Sequence, residues 1–350
     1  MKTIRDLNVK NKIILVRVDY NVPLKNGKIT DDLRIRASLP TIQYLLDHDA
    51  KQIILLSHLG RPEGKTTPEL SLSPVTNALR KLLPQTKIDF CPLPTPDKPL
   101  KIPSGTKIAL LENLRFDPGE EANSPNFIQN IIQATGATAY VQDGFAVVHR
   151  AHASTDAIKH FLPVYAGLLV ESETKNLNAA LEHPTKPVLL IIGGAKVADK
   201  QPLIDKFAQK ADHIFVGGKI AADGYKSNNP KITIATDFDE NTKGQKLDIG
   251  PLSTGKLASL VTDASTIIWN GLLGYAEDPA YATASTITAE LIGEKQAATT
   301  IICGGDTTGF VESLMHDHPN LNYSLVSTGG GAALEFLLGK KLPGLESIEK

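Results

Sequence analysis

The sequence has no arginine beyond Arg150, no two adjacent glycines before Gly193, and only two cysteines among 350 residues. It also has no apolar run approaching the about 20 residues that a membrane span needs. Each absence excludes something. Cys91 and Cys303 lie far apart without metal-ligand spacing, so they read as buried apolar residues of a protein in a reducing cytoplasm rather than as a disulfide framework. The opening MKTIRDLNVK holds no apolar stretch for a signal peptide, and nothing marks the chain for export. A formal net charge of -1 gives no surplus of either sign, so neither nucleic acid nor an anionic membrane is an expected partner. The chain lacks the Gly-Lys-Ser/Thr spacing of a P-loop, the Gly-x-Gly-x-x-Gly of dinucleotide folds, a serine nucleophile elbow and a metal-ligand cluster.

What is present is sorted by half. All eight arginines lie at or before Arg150, and the glycine runs Gly193-Gly194, Gly217-Gly218, Gly304-Gly305 and Gly329-Gly330-Gly331 all follow it. Guanidinium forks and bare backbone amides are two ways of holding phosphate or carboxylate. The segregation therefore predicts two anionic ligands, one for each half. A length of 350 residues fits two domains. Apolar runs at 13–18, 53–56, 108–111, 139–141, 188–192, 213–216, 266–269, 300–303 and 323–326 alternate with amphipathic stretches, which predicts an α/β architecture with parallel sheets. Each run ends in a polar or glycine-rich tip, at the strand ends where open α/β sheets bind ligands.

Several tips carry two readings. Gly193-Gly194-Ala195-Lys196 opens an amphipathic helix, where a double glycine suits an anion but, taken alone, more often serves tight packing. Asp306 in Gly304-Gly305-Asp306-Thr307 is placed either to hold Mg²⁺ or to cap a helix. The arginines and His58 and His149 read singly as surface ion pairs and structural histidines; Arg17, Arg34, Arg61, Arg115 and Arg150 together, on strand ends of one sheet, point to a small, highly charged ligand.

The sequence resembles the phosphoglycerate kinase family. The resemblance is carried by Arg17-Val18-Asp19-Tyr20-Asn21, Arg34-Ile35-Arg36, Ser57-His58-Leu59-Gly60-Arg61-Pro62, Glu112-Asn113-Leu114-Arg115-Phe116, His149-Arg150-Ala151-His152-Ala153-Ser154, Gly193-Gly194-Ala195-Lys196 through Lys200, Asp248-Ile249-Gly250-Pro251, Trp269-Asn270-Gly271, Gly304-Gly305-Asp306-Thr307 and Gly329-Gly330-Gly331, in family order along the whole chain. It implies two Rossmann-like domains whose parallel sheets face each other across a hinged cleft. The glycerate-substrate domain would span 1–162, a connecting helix 163–186 and the nucleotide-binding domain 187–334, with a tail of about 335–350 packing back on the first. It also implies reversible phosphoryl transfer between 1,3-bisphosphoglycerate and ADP, giving 3-phosphoglycerate and ATP, in a cytoplasmic, hinge-bending monomer. On the substrate side the resemblance assigns Arg17, Asp19, Asn21, Arg34, His58, Arg61, Arg115, His149 and Arg150. On the nucleotide side it assigns Gly194, Lys196, Lys200, Gly217, Gly218, Asn270, Glu277 for the ribose, Gly304, Gly305, Asp306 and Thr307. Asp306 would hold Mg²⁺, and Arg34, Lys196, Gly305 and Gly330 would act in the transfer step.

The departures from the family pattern gather on the nucleotide side. Lys219-Ile220-Ala221 follows Gly217-Gly218 where a third glycine and a methionine are usual, and about 40 residues are missing between Gly218 and Asp248. Lys246 stands for a glycine, Leu272 for a proline and Ala276 for a phenylalanine; Gln142 and Gly144 also differ. Base recognition is therefore expected to be reduced or relaxed. A catalytically impaired binding or scaffold protein is the alternative, opposed by the persistence of Arg34, Lys196, Lys200 and Asp306.

Overall fold

The computed structural model describes residues 1–95, 98–346 and 348. It divides into two units, Met1–Ser172 with the segment from Lys341 on, and Glu173–Lys340. The first unit holds strands β1 (Ile13–Arg17), β2 (Gln52–Leu56), β3 (Ile88–Cys91), β4 (Ile108–Leu111), β5 (Ala139–Gln142) and β6 (Val164–Ala166), all parallel, in the order β3-β4-β2-β1-β5-β6. The second holds β7 (Val188–Ile192), β8 (His213–Val216), β9 (Ile232–Ile234), an antiparallel hairpin of β10 (Phe238–Glu240) and β11 (Lys246–Ile249), then β12 (Thr266–Asn270), β13 (Thr299–Cys303) and β14 (Leu325–Val326). Its parallel sheet runs β9-β8-β7-β12-β13-β14, the doubly wound order of dinucleotide folds. The direction of winding reverses between β1 and β5 in one sheet and between β7 and β12 in the other. Such reversals open a crevice at the carboxyl ends of the strands.

The local sequence explains these elements. Every residue of β7 and β12 is buried, because helices cover both faces of a parallel sheet, and only continuous apolar runs survive there. Helix α1 (Leu33–Asp47) buries Ile35, Ile42 and Leu45 at helical spacing. Helix α2 runs Leu168–Glu182, α3 Val197–Lys210 and α4 Gly305–Asp317. The nine apolar runs all contain strands. The strands β3, β6 and β9 were not expected from the pattern, and all three lie at sheet edges, where partial burial permits a mixed composition.

Residues expected in the connecting helix divide differently. Val164–Ala166 pairs with the first sheet as β6, and the division between units falls within α2, at Ser172 and Glu173. Within the first unit, Leu169 N donates to Asp143 Oδ1 at 3.0 Å; within the second, Thr328 N donates to Glu173 Oε1 at 2.8 Å. Burial pushes both carboxyl groups up to about 7. The segment 335–340 belongs to the second unit, and the return to the first starts at Lys341. There Gly344 N donates to Val148 O at 2.8 Å. Of the expected tail, Ser347, Glu349 and Lys350 lie outside the described residues.

Candidate functional site

In the first unit the charged tips converge at the winding reversal. Arg17 ends β1 and is wholly buried. Its Nε donates to Ser154 Oγ at 2.8 Å, Nη1 to the Val18 carbonyl, and Nη2 lies 3.3 Å from His58 Nδ1. Ser154 in turn donates to the buried Glu120 through Oγ at 2.6 Å and N at 3.0 Å. Arg17 was expected to touch a ligand, but all its nitrogens have protein partners, so it positions His58 from beneath. Because a guanidinium can only donate, His58 Nδ1 accepts, and the neutral ring carries its proton on Nε2. Burial, and then the charges of Arg17, Arg115, Arg150 and Arg34, hold the His58 pKa well below the usual range.

Around that ring, Arg34 of α1 pairs with Asp19, which also accepts from Asn21 N at 3.1 Å. Asn21 Oδ1 accepts from Gly60 N at 2.9 Å, and Arg115 Nη1 donates to Gly60 O at 2.7 Å. Arg115 also pairs with Glu121, Nε to Oε1 3.1 Å. Among the described residues its buried Nη2 has no hydrogen-bond partner, nor has Arg150 Nε. Burial, then Arg150, lowers the Arg115 pKa to about 10, so the group stays charged at neutral pH. An unpaired buried donor costs about 1–3 kcal/mol, more when charged, a cost that an anionic ligand would offset by supplying acceptors. His149 adjoins Arg150 half-buried, whereas Arg61 is exposed and makes no ion pair among the described residues. His152 was missed by the sequence reading: burial and then Arg115 lower its pKa to about 4.

The second unit holds a cavity of about 480 Å³ where the loops after β7 and β12 meet the starts of α3 and α4. Gly194, Lys196 and Lys200 line it, as do Gly218, Glu277 and the run from Gly304 to Thr307. Gly217 and Asn270 were expected to line it but lie beneath. A Cβ on Gly217 would stand 2.8 Å from a Leu273 methyl, and Asn270, only 1% exposed, accepts from the Lys200 ammonium. Gly330 precedes the short helix Gly331–Leu337 and is not among the lining residues. The two readings of Gly193-Gly194 divide between the residues: a side chain on Gly193 would collide with the carbonyls of Gly271 and Leu272, while Gly194 lines the cavity. Gly304 is the N-cap of α4, so Asp306 is not a cap.

With backbone amides at the starts of α3 and α4 and two lysines beside them, this lining suits a polyphosphate. Lys196 is exposed and makes no ion pair among the described residues; burial lowers the Lys200 pKa. No group of three or more His, Cys, Asp or Glu forms a metal cage among the described residues. Asp306, one of the carboxylates in the lining, would suit a magnesium ion that takes a single carboxylate and shares phosphate oxygens, the usual way that ion is held. The remaining lining was largely missed: Phe238, Lys246 and Leu247 from the β10–β11 hairpin, and Leu272 and Tyr275 after β12. Lys246 and Leu272 were visible only as departures from the family pattern, and nothing in the periodicity flags Phe238 or Tyr275. The wall expected to be missing is thus lined with other side chains.

A family model described as phosphoglycerate kinase matches residues 4–243 and 223–340. Phosphoglycerate kinase of Moorella thermoacetica is 38% identical over 393 positions, covering 99% of this chain and 98% of the relative; that of Acidobacterium capsulatum is 39% identical at the same coverages. The solved structure of phosphoglycerate kinase from Coxiella burnetii has a TM-score of 0.81 and is 32% identical, covering 99% of this chain and 98% of its own. An alignment of 393 positions against 350 residues leaves at least 43 positions opposite a gap, and the two matched spans overlap at 223–243. On end-to-end matches of sequence and fold together, the chain belongs to the phosphoglycerate kinase family.

Proposed function

We propose that the chain transfers a phosphoryl group reversibly between 1,3-bisphosphoglycerate and ADP, giving 3-phosphoglycerate and ATP. The carrying observation is that an end-to-end family match coincides with two anion sites of complementary kind, each at the winding reversal of its own sheet. The first would hold the glycerate: Arg115 and Arg150 offer it unpaired N–H groups, His58 offers Nε2–H, and Arg34, Asn21, Arg61 and His149 complete the set. The second would hold the nucleotide phosphates on the amides of Gly194, Gly304 and Gly305, with Glu277 for the ribose.

The chemistry asks for position and positive charge. Both nucleophiles, a carboxylate and a phosphate oxygen, are ionised at neutral pH, so no general base is needed. A loose transition state spreads negative charge over the equatorial oxygens, which preorganised lysine, arginine and amide groups stabilise. Lys196 and Arg34 are assigned to the migrating group, with the amides of Gly305 and Gly330. Magnesium held by Asp306 would neutralise charge on the nucleotide's phosphate oxygens. Direct transfer requires the two ligands to meet, so the reading includes a hinge closure that also excludes water from the acyl phosphate. The near-neutral composition and the two buried free cysteines support a small-molecule enzyme working in the cytoplasm, and the reading takes it as a monomer.

Coupled turnover with 3-phosphoglycerate and Mg-ATP tests this, with Lys196→Ala beside the parent. Turnover that collapses in the variant supports the assignment. No turnover by the parent, with glycerate binding retained, would leave a scaffold instead, a reading that the family match and the retained Arg34, Lys196, Lys200 and Asp306 do not favour.

A further inference from the structure

The β10–β11 hairpin brings one unusual group to the nucleotide cavity. Lys246 begins β11 and lines the cavity with its ammonium 4.7 Å from the centre of the Phe238 ring, on the strand opposite. Glu240 faces Lys246 across the hairpin in register, yet no ion pair joins them among the described residues. The ammonium instead rests on the aromatic face, an attraction that is weak at an exposed site and easily exchanged for a better partner. The nearby carboxylate of Asp248 is engaged elsewhere, accepting from Ile249 N at 2.9 Å and Ala284 N at 3.0 Å.

The hairpin and the loop after β12 therefore offer a ring, Phe238, a second exposed ring, Tyr275, and a side chain that can only donate hydrogen bonds. Rings accept any base by stacking, because every base has a π-face. Discrimination then falls to the ammonium. Adenine presents one acceptor, N7, beside an amino group at C6 that is itself a donor. Guanine and hypoxanthine present O6 beside N7, two acceptors within reach of one lysine.

We propose that Lys246 determines base specificity and makes this site take 6-oxopurine nucleoside diphosphates, GDP and IDP, at least as well as ADP. The proposal rests on the cavity being the nucleotide site of the proposed reaction. Phe238 supplies the stacking surface, and the Lys246 ammonium moves from the ring to O6 and N7 when such a base enters. IDP, which lacks the 2-amino group of GDP, isolates the contribution of the 6-carbonyl.

Calorimetric titration of ADP, GDP and IDP with magnesium into the full chain tests this, with Lys246→Met and Lys246→Arg measured beside the parent. In the parent, GDP and IDP are expected to bind as tightly as ADP or up to about tenfold more tightly. Lys246→Met, which keeps the stem and removes the donors, should weaken GDP and IDP about tenfold and leave ADP within about twofold; Lys246→Arg should retain most of the parent's ratio. A parent that prefers ADP tenfold, or a Lys246→Met that shifts all three nucleotides alike, would overturn the inference while leaving the reaction assignment standing. Failure of all three nucleotides to bind would remove the nucleotide reading of the cavity and this inference with it.

Discussion

The two units present hydrogen-bond donors by opposite means, each suited to an anion. In the first, the donors belong to side chains: guanidinium groups stacked beneath and around a neutral histidine, with Arg115 Nη2 and Arg150 Nε buried and unpaired. In the second, the donors belong largely to the backbone, at the starts of α3 and α4, and the glycines keep that backbone bare. A rigid fork of side chains suits a ligand of fixed shape, small and branched. A bare helix start recognises phosphate in any company and leaves selection to whatever surrounds the rest of the ligand. This is consistent with the first unit keeping the family's charged motifs while the departures from the pattern gather in the second.

Four experiments would break or sharpen that contrast. Lys196→Ala removes a charge assigned to the transition state, and turnover should fall about 100- to 1,000-fold, as with loss of one preorganised donor; calorimetry should find glycerate binding unchanged. Arg115→Met should weaken 3-phosphoglycerate about 10- to 100-fold, the worth of a charged hydrogen bond, without altering ADP affinity. Gly305→Ala probes the backbone side, because open space surrounds its Cβ position. Stability should stay within about 0.5 kcal/mol, while ADP weakens about tenfold and glycerate not at all; unchanged ADP affinity would show that no phosphate approaches there.

The smallest effect is on stability against pH. Asp143 is pushed up to about 7 by burial, above its ordinary 3.8. The folded state therefore holds the proton more tightly than the unfolded chain, and that contribution is complete below about 4 and lost as pH rises through about 7. Asp143→Asn cannot titrate, so its urea midpoint should vary less between those limits than the parent's. An identical pH profile would show that Asp143 does not carry the linkage.

Much of this was legible in sequence because parallel strands buried on both faces leave continuous apolar runs, and ligand-facing tips must follow them. The edge strands β3, β6 and β9 were not, since partial exposure relaxes composition. The roles of individual arginines were legible only as a set. Arg17 and Arg61 look alike as motif members, yet one is sealed beneath the site and the other open to solvent, a difference made by Ser154 and Glu120 far along the chain. Part of the lining escaped because Phe238 sits in a strand of only three residues and Tyr275 in an irregular stretch, both too short of pattern for a period to betray what they face.

Because the chain returns to its starting unit at Lys341, the second unit is an insertion, tethered at both ends. Cleavage just before Lys341 would leave a single covalent leash and a docking peptide held by contacts such as Gly344 to Val148. The residues from Lys341 to Glu346 thus give the inserted unit a second covalent attachment, beside the one at Ser172 and Glu173.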